Sequence, residues 1–152
     1  MENKKFKVII SACLLGIPCR YSGKAEINEE ALKLFLEGDV LLICPEIFSG
    51  QKVPRSACEI IDGDGRDVLR GRAKVVDKDG NDYTDIFIKG ARLVLSEIVS
   101  KHNIEKAFLK SGSPSCGVCT IYSGKFDGVK IKGCGVLSAL LEENGIDYIK
   151  EL

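Results

Sequence analysis

The stretch "FKVIISA", residues 6–12, is a continuous apolar run rich in β-branched side chains. Such a run is typical of a strand that is buried on both faces of its sheet. Two further runs, "DVLLIC" at 39–44 and "KAFLK" at 106–110, also predict strands. Strands of this kind favour a parallel sheet that is covered by helices on both sides.

Three amphipathic segments, at 27–38, 83–103 and 135–145, predict helices between and after these strands. Asn28 is the expected N-cap of the first helix and Gly38 its terminator. The apolar face expected for that helix consists of Ala31, Leu32, Phe35 and Leu36.

Residues 59–77 predict two strands around a turn, because Gly and Asp interrupt the apolar pattern there. Strands that alternate with helices predict an α/β protein with a three-layer, Rossmann-like fold. Its sheet would be mainly parallel, with small β-hairpin insertions. We find no internal repeat, linker or low-complexity segment, so residues 1–152 are predicted to form one domain.

Charge and hydropathy exclude several classes of protein. Lys and Arg together number 22, as do Asp and Glu, so we expect no nucleic-acid partner. No run approaches the roughly 18 apolar residues of a membrane span. The apolar run before "ISAC" is too short for the core of a lipoprotein signal. We expect a cytoplasmic protein with no membrane partner.

The seven cysteines are the most unusual feature of the composition. Their number is odd, and their spacings do not match a disulfide-rich secreted domain. Cys13, Cys44 and Cys116 fall at or just after the C-terminal ends of the three predicted strands. Because those ends share one edge of a parallel sheet, we expect the three thiols to converge there. Cys19 is near enough in sequence to reach the same place.

Converging thiolates are ligands for zinc or for an iron–sulfur cluster. A structural zinc site usually has two closely spaced pairs, but the only CxxC here is "CGVC" at 116–119. Three ligands would leave one metal position open for a substrate. A thioredoxin-like motif is disfavoured, because a turn-rich stretch follows "CGVC" where a helix would be needed. Cys58 and Cys134 are interpreted as ordinary buried thiols.

Several polar side chains accompany these cysteines. Glu46 stands two positions after Cys44, where burial would raise its pKa towards the range of a general acid or base. Arg20 and Arg55 are candidates to hold an anionic or carbonyl-bearing substrate. The more common role of such Glu and Arg side chains is that of a solvated loop or surface residue. The hydroxyl groups in the loop of the third cysteine belong to Ser111, Ser113 and Ser115.

Three motifs carry a resemblance to a known family: "SACLLGIPCRYSG" at 11–23, "CPEIFSGQKVPR" at 44–55 and "KSGSPSCG" at 110–117. Together they resemble the small bacterial proteins of the domain of unknown function 523 family. One branch of that family is known as thiouracil desulfidase. The resemblance extends over residues 8–141.

The resemblance implies a [4Fe–4S] cluster that is held by three cysteines and keeps one iron open. Matched motif by motif, its ligands would be Cys13, Cys44 and Cys116. Cys19 is similar to a family cysteine near the cluster, and its role as a further ligand is left open. Glu46 of "CPE" is similar to the acid/base carboxylate of the family. Ser113 of "SPSC" is similar to its substrate-contacting hydroxyl.

The implied reaction is a non-redox desulfuration of a small thiolated pyrimidine, such as 2- or 4-thiouracil, with release of sulfide. Ser22 and Ser123 stand where many relatives are expected to carry Asp or Asn, which bears on the choice of substrate. Two alternatives remain open: a sulfur-transfer enzyme acting on thionucleosides, and a non-catalytic zinc- or iron–sulfur-binding module. The sequence makes no prediction about oligomeric state.

Overall fold

A computed structural model describes residues 4–152 and places a four-stranded parallel sheet at the centre of the protein. In chain order the strands are β1 (Val8–Ser11), β2 (Val40–Ile43), β3 (Cys58–Ile61), β4 (Lys74–Asp77), β5 (Lys106–Leu109), β6 (Thr120–Tyr122), β7 (Lys130–Lys132) and β8 (Tyr148–Glu151). The central sheet has the order β2-β1-β5-β8. The other four strands form two antiparallel pairs, β3–β4 and β6–β7.

The helices are α1 (Glu29–Glu37), α2 (Pro45–Phe48), α3 (Gly65–Leu69), α4 (Thr84–Val94) and α5 (Val136–Glu143). A π-helical turn, Leu95–Val99, extends α4 towards β5. Within residues 4–152, no helix is long and apolar enough to cross a membrane.

The central sheet is covered on both sides. Neighbouring residues of each strand point to opposite faces, so each strand contributes side chains to a core on either side. Ile9 and Ala107 pack into a large core with the apolar sides of α4 and α5. Ile10 and Phe108, one position further along, pack into a smaller core with Ala31 of α1. The predicted α/β fold with a mainly parallel sheet and small hairpins is therefore confirmed.

Helix α1 begins and ends where the sequence predicts, but it buries only part of the expected face. The Oδ1 atom of Asn28 accepts a hydrogen bond from the backbone N–H of Ala31 at 3.0 Å. Of the expected apolar face, Ala31 is buried as predicted, but the prediction is wrong for Leu32, Phe35 and Leu36, which are 37, 41 and 74 % exposed. The helix contacts the smaller core through Ala31 and, one turn later, Leu34.

The connection between β3 and β4 is more than the turn that was predicted. It contains α3, which begins with a capping box: the Asp64 side chain accepts from the Arg66 N–H, and the Asp67 side chain accepts from the Asp64 N–H. Reciprocal bonds of this kind satisfy N–H groups that a helix start would leave free. The acidic run at 62–67 therefore serves to start a short helix.

Helix α4 packs directly on the backbone of α2. A Cβ atom placed on Gly90 would lie only 2.1 Å from the carbonyl oxygen of Pro45. Only glycine permits this approach. The short helix α2, which carries Glu46, is thereby fixed against the main core.

Candidate metal centre and active site

Three cysteines lie at the C-terminal ends of adjacent parallel strands. Cys13 is in a 3₁₀ turn directly after β1, Cys44 is the residue between β2 and α2, and Cys116 is in the loop after β5. Because β1 pairs with both β2 and β5, the three strand ends are neighbours at one edge of the sheet. Cys13 and Cys116 are buried, and Cys44 is half-buried.

Cys19 joins this group, because it packs with Cys13 and Cys44 in one small cluster. The Cys44 thiol also donates to the Cys19 carbonyl oxygen, with 3.9 Å between sulfur and oxygen. Cys116 is electrostatically coupled to Cys44 and Cys19, and its thiol contacts the hydroxyl group of Ser11. The loop after β1 therefore brings a fourth sulfur to the same edge.

Their surroundings disfavour free thiolates. The hydrogen bond with Cys13 raises the pKa of Cys19 to about 11. The hydrogen bond with Cys19, together with burial, raises the pKa of Cys44 above its ordinary value, and burial does the same for Cys116. A bound metal supplies the positive charge that converts such thiols into thiolate ligands. A converging set of soft, buried thiols fits an iron–sulfur cluster.

A single metal ion has stricter requirements. Zinc held by cysteines needs its sulfur atoms within about 2.3 Å of one point. Among residues 4–152, no group of three or more His, Cys, Asp and Glu side chains is arranged in this way. In a cluster, by contrast, each cysteine binds a separate iron, so its ligands need not meet at one point.

Glu46 lies in the first turn of α2 and is held by a guanidinium group. The Nε and Nη2 atoms of Arg55 both donate to Oε1 of Glu46, at 3.2 and 3.1 Å. Arg55 also donates to the carbonyl oxygens of Cys19 and Lys52. The N–H donors of Arg55 are thus used in hydrogen bonds within the protein. Of the two candidate arginines, Arg20 is the one that faces the cavity described below.

The Glu46 carboxylate is mostly buried. Its side chain is 18 % exposed and that of Arg55 is 9 % exposed. Ser115 donates a hydrogen bond to the other carboxylate oxygen, Oε2, at 3.4 Å. Burial raises the pKa of the Glu46 carboxyl, and the Arg55 charge and the Ser115 hydroxyl only partly oppose that effect.

Ser113 caps the turn that carries Cys116. Its hydroxyl oxygen accepts hydrogen bonds from the backbone N–H groups of Ser115 and Cys116, at 3.1 and 3.0 Å. Since both bonds use the oxygen as acceptor, its O–H remains available to donate. On the buried side, the Cys116 carbonyl accepts from the Ser138 hydroxyl at 3.0 Å.

Sequence reasoning missed two residues that hold this loop. Ser11 accepts a hydrogen bond from the Lys110 N–H at 3.0 Å and contacts the Cys116 thiol. A polar residue at the end of an otherwise apolar strand was the available signal. The other is Glu151, whose Oε1 atom accepts from the N–H groups of residues 118, 119 and 120, each at 3.2 Å. Nothing in the local sequence pairs Glu151 with that segment.

A cavity of about 430 Å³ opens beside these groups. Of the predicted site residues, Glu46, Arg20, Ser111 and Ser113 line it. The opposite wall comes from β3 and from the β6–β7 hairpin. Glu46 connects the two parts of the site, because it faces the cavity, follows Cys44 by two positions and contacts Ser115 next to Cys116.

Comparison with known proteins agrees with this geometry. The family model described as 2-thiouracil desulfurase matches residues 8–152. The chain belongs to this family. The resemblance read from its three motifs is thereby confirmed.

Two relatives extend over nearly the whole chain. The uncharacterized protein YbbK of Bacillus subtilis (strain 168) is 42 % identical over 144 residues, which is 95 % of each chain. A solved structure, described as the [4Fe-4S]-dependent thiouracil desulfidase TudS (DUF523Vcz), superposes with a TM-score of 0.81 at 39 % identity. That match covers 97 % of this chain and 91 % of the other. At 39 % identity the two proteins are similar in sequence as well as in fold.

Proposed function

We propose that the protein is a [4Fe–4S]-dependent desulfidase that removes sulfur from a small thiolated pyrimidine such as 2- or 4-thiouracil. In the overall reaction, water replaces the sulfur: a C=S group and water give a C=O group and hydrogen sulfide, with no change in oxidation state. The observation that carries the proposal is the position of Glu46, between the clustered cysteines and the cavity. Membership of the desulfurase family supports an enzyme over a non-catalytic module.

Cys13, Cys44 and Cys116 are the proposed cluster ligands, one from the end of each adjacent strand. Cys19, in contact with two of them, lies beside the cluster. When bound, the cluster supplies a Lewis-acidic iron with an open coordination position for the sulfur of the substrate.

Glu46 is the proposed general base. Arg55 holds its Oε1 atom with two hydrogen bonds from one edge of the guanidinium group, so the carboxylate has a fixed orientation. Oε2 has only the longer contact with Ser115 and is the atom placed to accept a proton from water. The proton can later leave with the departing sulfide.

Ser113 is the proposed substrate-contacting residue on the other side. Its oxygen is fixed by two backbone N–H groups, and its O–H is free to donate to a ring carbonyl or to developing negative charge. Arg20 and Ser111 complete the polar part of the cavity lining.

The test begins with anaerobic reconstitution and a count of iron and acid-labile sulfide per chain. The protein is then incubated with 2-thiouracil and 4-thiouracil, and the loss of thiocarbonyl absorbance is compared with the release of sulfide. We expect about four irons and equal amounts of lost thiouracil and released sulfide. A full cluster that leaves both thiouracils unchanged would refute the proposed substrate.

Glu46→Gln tests the role of the base, because it keeps the size and one carbonyl acceptor for Arg55. We expect full cluster content and a loss of turnover of roughly 100-fold or more, the usual contribution of a positioned base. Glu37→Gln, at the exposed end of α1, is the matched control and should retain normal rates. Unchanged turnover in Glu46→Gln would remove Glu46 from the mechanism.

We further propose a cytoplasmic location. All seven cysteines are unpaired, and a reducing compartment keeps such thiols available as ligands.

A further inference from the structure

We propose that Phe126 contacts the flat face of the thiolated base and that Glu59 is the positioning residue that holds Phe126 in the cavity wall. The inference rests on the proposed function, because it names how that site would hold its substrate ring. It concerns the β6–β7 hairpin, to which no role has been given so far.

The hairpin forms one wall of the cavity that Glu46 and Ser113 also line. Tyr122 from β6, Lys130 from β7 and Phe126 from the connecting turn all face that cavity. The hairpin is anchored from below by Ile121, which is 1 % exposed and belongs to the large core. The buried Ile121 side chain therefore fixes the hairpin, and with it the turn, beside the cavity.

Phe126 has a backbone conformation that bulky residues avoid. Its φ angle is +55°, in the left-handed region. For a large side chain this conformation is unfavourable, because the Cβ atom lies too close to the following carbonyl oxygen. Strain of this kind persists only where the surroundings enforce it, and it is concentrated at functional sites. Glycine at this position would relieve the strain but would contribute no ring to the cavity.

Strand β3 enforces the conformation of the turn. The Oε1 atom of Glu59 accepts hydrogen bonds from the backbone N–H groups of Gly124 and Phe126, at 2.9 and 3.3 Å. The turn also lies directly on the β3 backbone, because a Cβ on Gly124 would be 2.5 Å from the Ile60 carbonyl oxygen. Glu59 thus connects the position of Phe126 to a strand that carries another part of the cavity wall.

Other polar groups of the turn are paired with one another by hydrogen bonds. The Ser123 hydroxyl donates to Asp127 at 2.8 Å and accepts from the Lys125 N–H at 3.2 Å. Asp127 in turn accepts from the Val129 N–H at 2.9 Å. With these groups paired, the Phe126 ring is the part of the turn that is left to meet a ligand.

The ring of Tyr122, the other aromatic residue of the hairpin, is already in contact with other groups of the protein. The ammonium group of Lys130 lies 5.6 Å from the centre of its ring, and Gly112 approaches the edge of that ring. Within residues 4–152, no ring and no ammonium group is paired with Phe126. A thiolated pyrimidine presents a flat, polarisable face, which packs well against an aromatic ring.

The test compares kcat and KM for 4-thiouracil in the reconstituted enzyme. Phe126→Ala and Phe126→Gly both remove the ring, and the glycine variant also relieves the strained φ. We expect a rise in KM of roughly 5- to 150-fold in each, the range for loss of one base–aromatic stack. The value of kcat should stay within about twofold, since the contact is equal in ground and transition states. Val129→Ala, in the same hairpin but outside the cavity, is the matched control.

Glu59 should act through Phe126. Glu59→Ala should raise KM by up to the same factor, whereas Glu59→Gln, which keeps a carbonyl acceptor, should restore most of the affinity. The double variant Glu59→Ala/Phe126→Ala should bind no more weakly than Phe126→Ala alone. Fully additive effects would overturn the assignment of Glu59. A KM for Phe126→Gly within about twofold of the wild-type value, with normal iron content, would overturn that of Phe126.

Calorimetric titration with uracil separates this inference from the proposed reaction. The wild type could bind uracil but release no sulfide from thiouracil. If Phe126→Gly then weakens uracil binding by the factor given above, the contact between Phe126 and the base is supported even though the proposed reaction is refuted. Equal binding by both proteins, or no binding by the wild type, would refute the contact.

Discussion

Replacement of Arg55 by alanine should destabilise the protein through a buried, uncompensated charge. The Arg55 side chain is 9 % exposed and its partner Glu46 18 % exposed, so solvent screens the pair weakly. The change removes two hydrogen bonds to one carboxylate oxygen, at 3.2 and 3.1 Å, and those to two carbonyl oxygens. Removing one partner of such a pair costs about 3–5 kcal/mol.

The assay is urea unfolding of the metal-free, reduced protein, followed by far-UV circular dichroism at neutral pH. Glu46→Gln replaces the charge by a neutral amide of the same shape. The double variant should therefore be less destabilised than the sum of the two single changes, by about 1–3 kcal/mol. Arg55→Lys keeps the charge but not the two-point contact and should fall between wild type and Arg55→Ala. A loss below about 1 kcal/mol in Arg55→Ala, the value of an exposed ion pair, would refute the reasoning.

Three further changes test other parts of the structure. Asp77→Ala should lower the melting temperature at pH 7, because hydrogen bonds from Asn81 and from neighbouring backbone N–H groups lower the pKa of Asp77. That contribution is present above the ordinary pKa of an aspartate, about 4, and is lost as pH falls through the lower folded pKa, so the melting temperatures of the two proteins should converge in acid. Gly90→Ala should cost about 1–3 kcal/mol or more, because its Cβ would meet the Pro45 carbonyl, whereas the exposed Lys89→Ala should unfold like the wild type. Glu151→Ala should speed the loss of iron to a chelator, because the segment after Cys116 loses its acceptor; a loss rate equal to that of the wild type would show that this acceptor does not matter for retention of the cluster.

The central strands could be predicted because their sequence pattern is local. A strand buried on both faces needs an unbroken apolar run, and "FKVIISA" provides one. The placement of Cys13, Cys44 and Cys116 then followed from one general property, that parallel strands end at a common edge. The assignment of these three as cluster ligands stays a prediction.

The exposed face of α1 shows where the pattern was insufficient. Leu32, Phe35 and Leu36 form a reasonable apolar stripe, but the helix rests on Ala31 and Leu34. Side-chain hydropathy alone does not show which residues of a short helix the rest of the chain covers.

Contacts between distant carboxylates and backbone N–H groups were also beyond prediction. Glu59 binds the hairpin turn 65 and 67 residues away, and Glu151 binds a segment 31 to 33 residues before it. An isolated glutamate in a sequence carries no sign of such a partner. These residues become visible only when the chain is folded.

The strand order has a consequence for how the metal centre is acquired. The cysteines come from three distant segments, and β1 must lie between β2 and β5 before they become neighbours. The segment after Cys116 is then secured by Glu151 on β8, at the far edge of the sheet. If Cys13, Cys44 and Cys116 are the cluster ligands, the complete set forms only when β1 has paired with both β2 and β5. We therefore expect insertion of a complete cluster to follow, not precede, the formation of the central sheet.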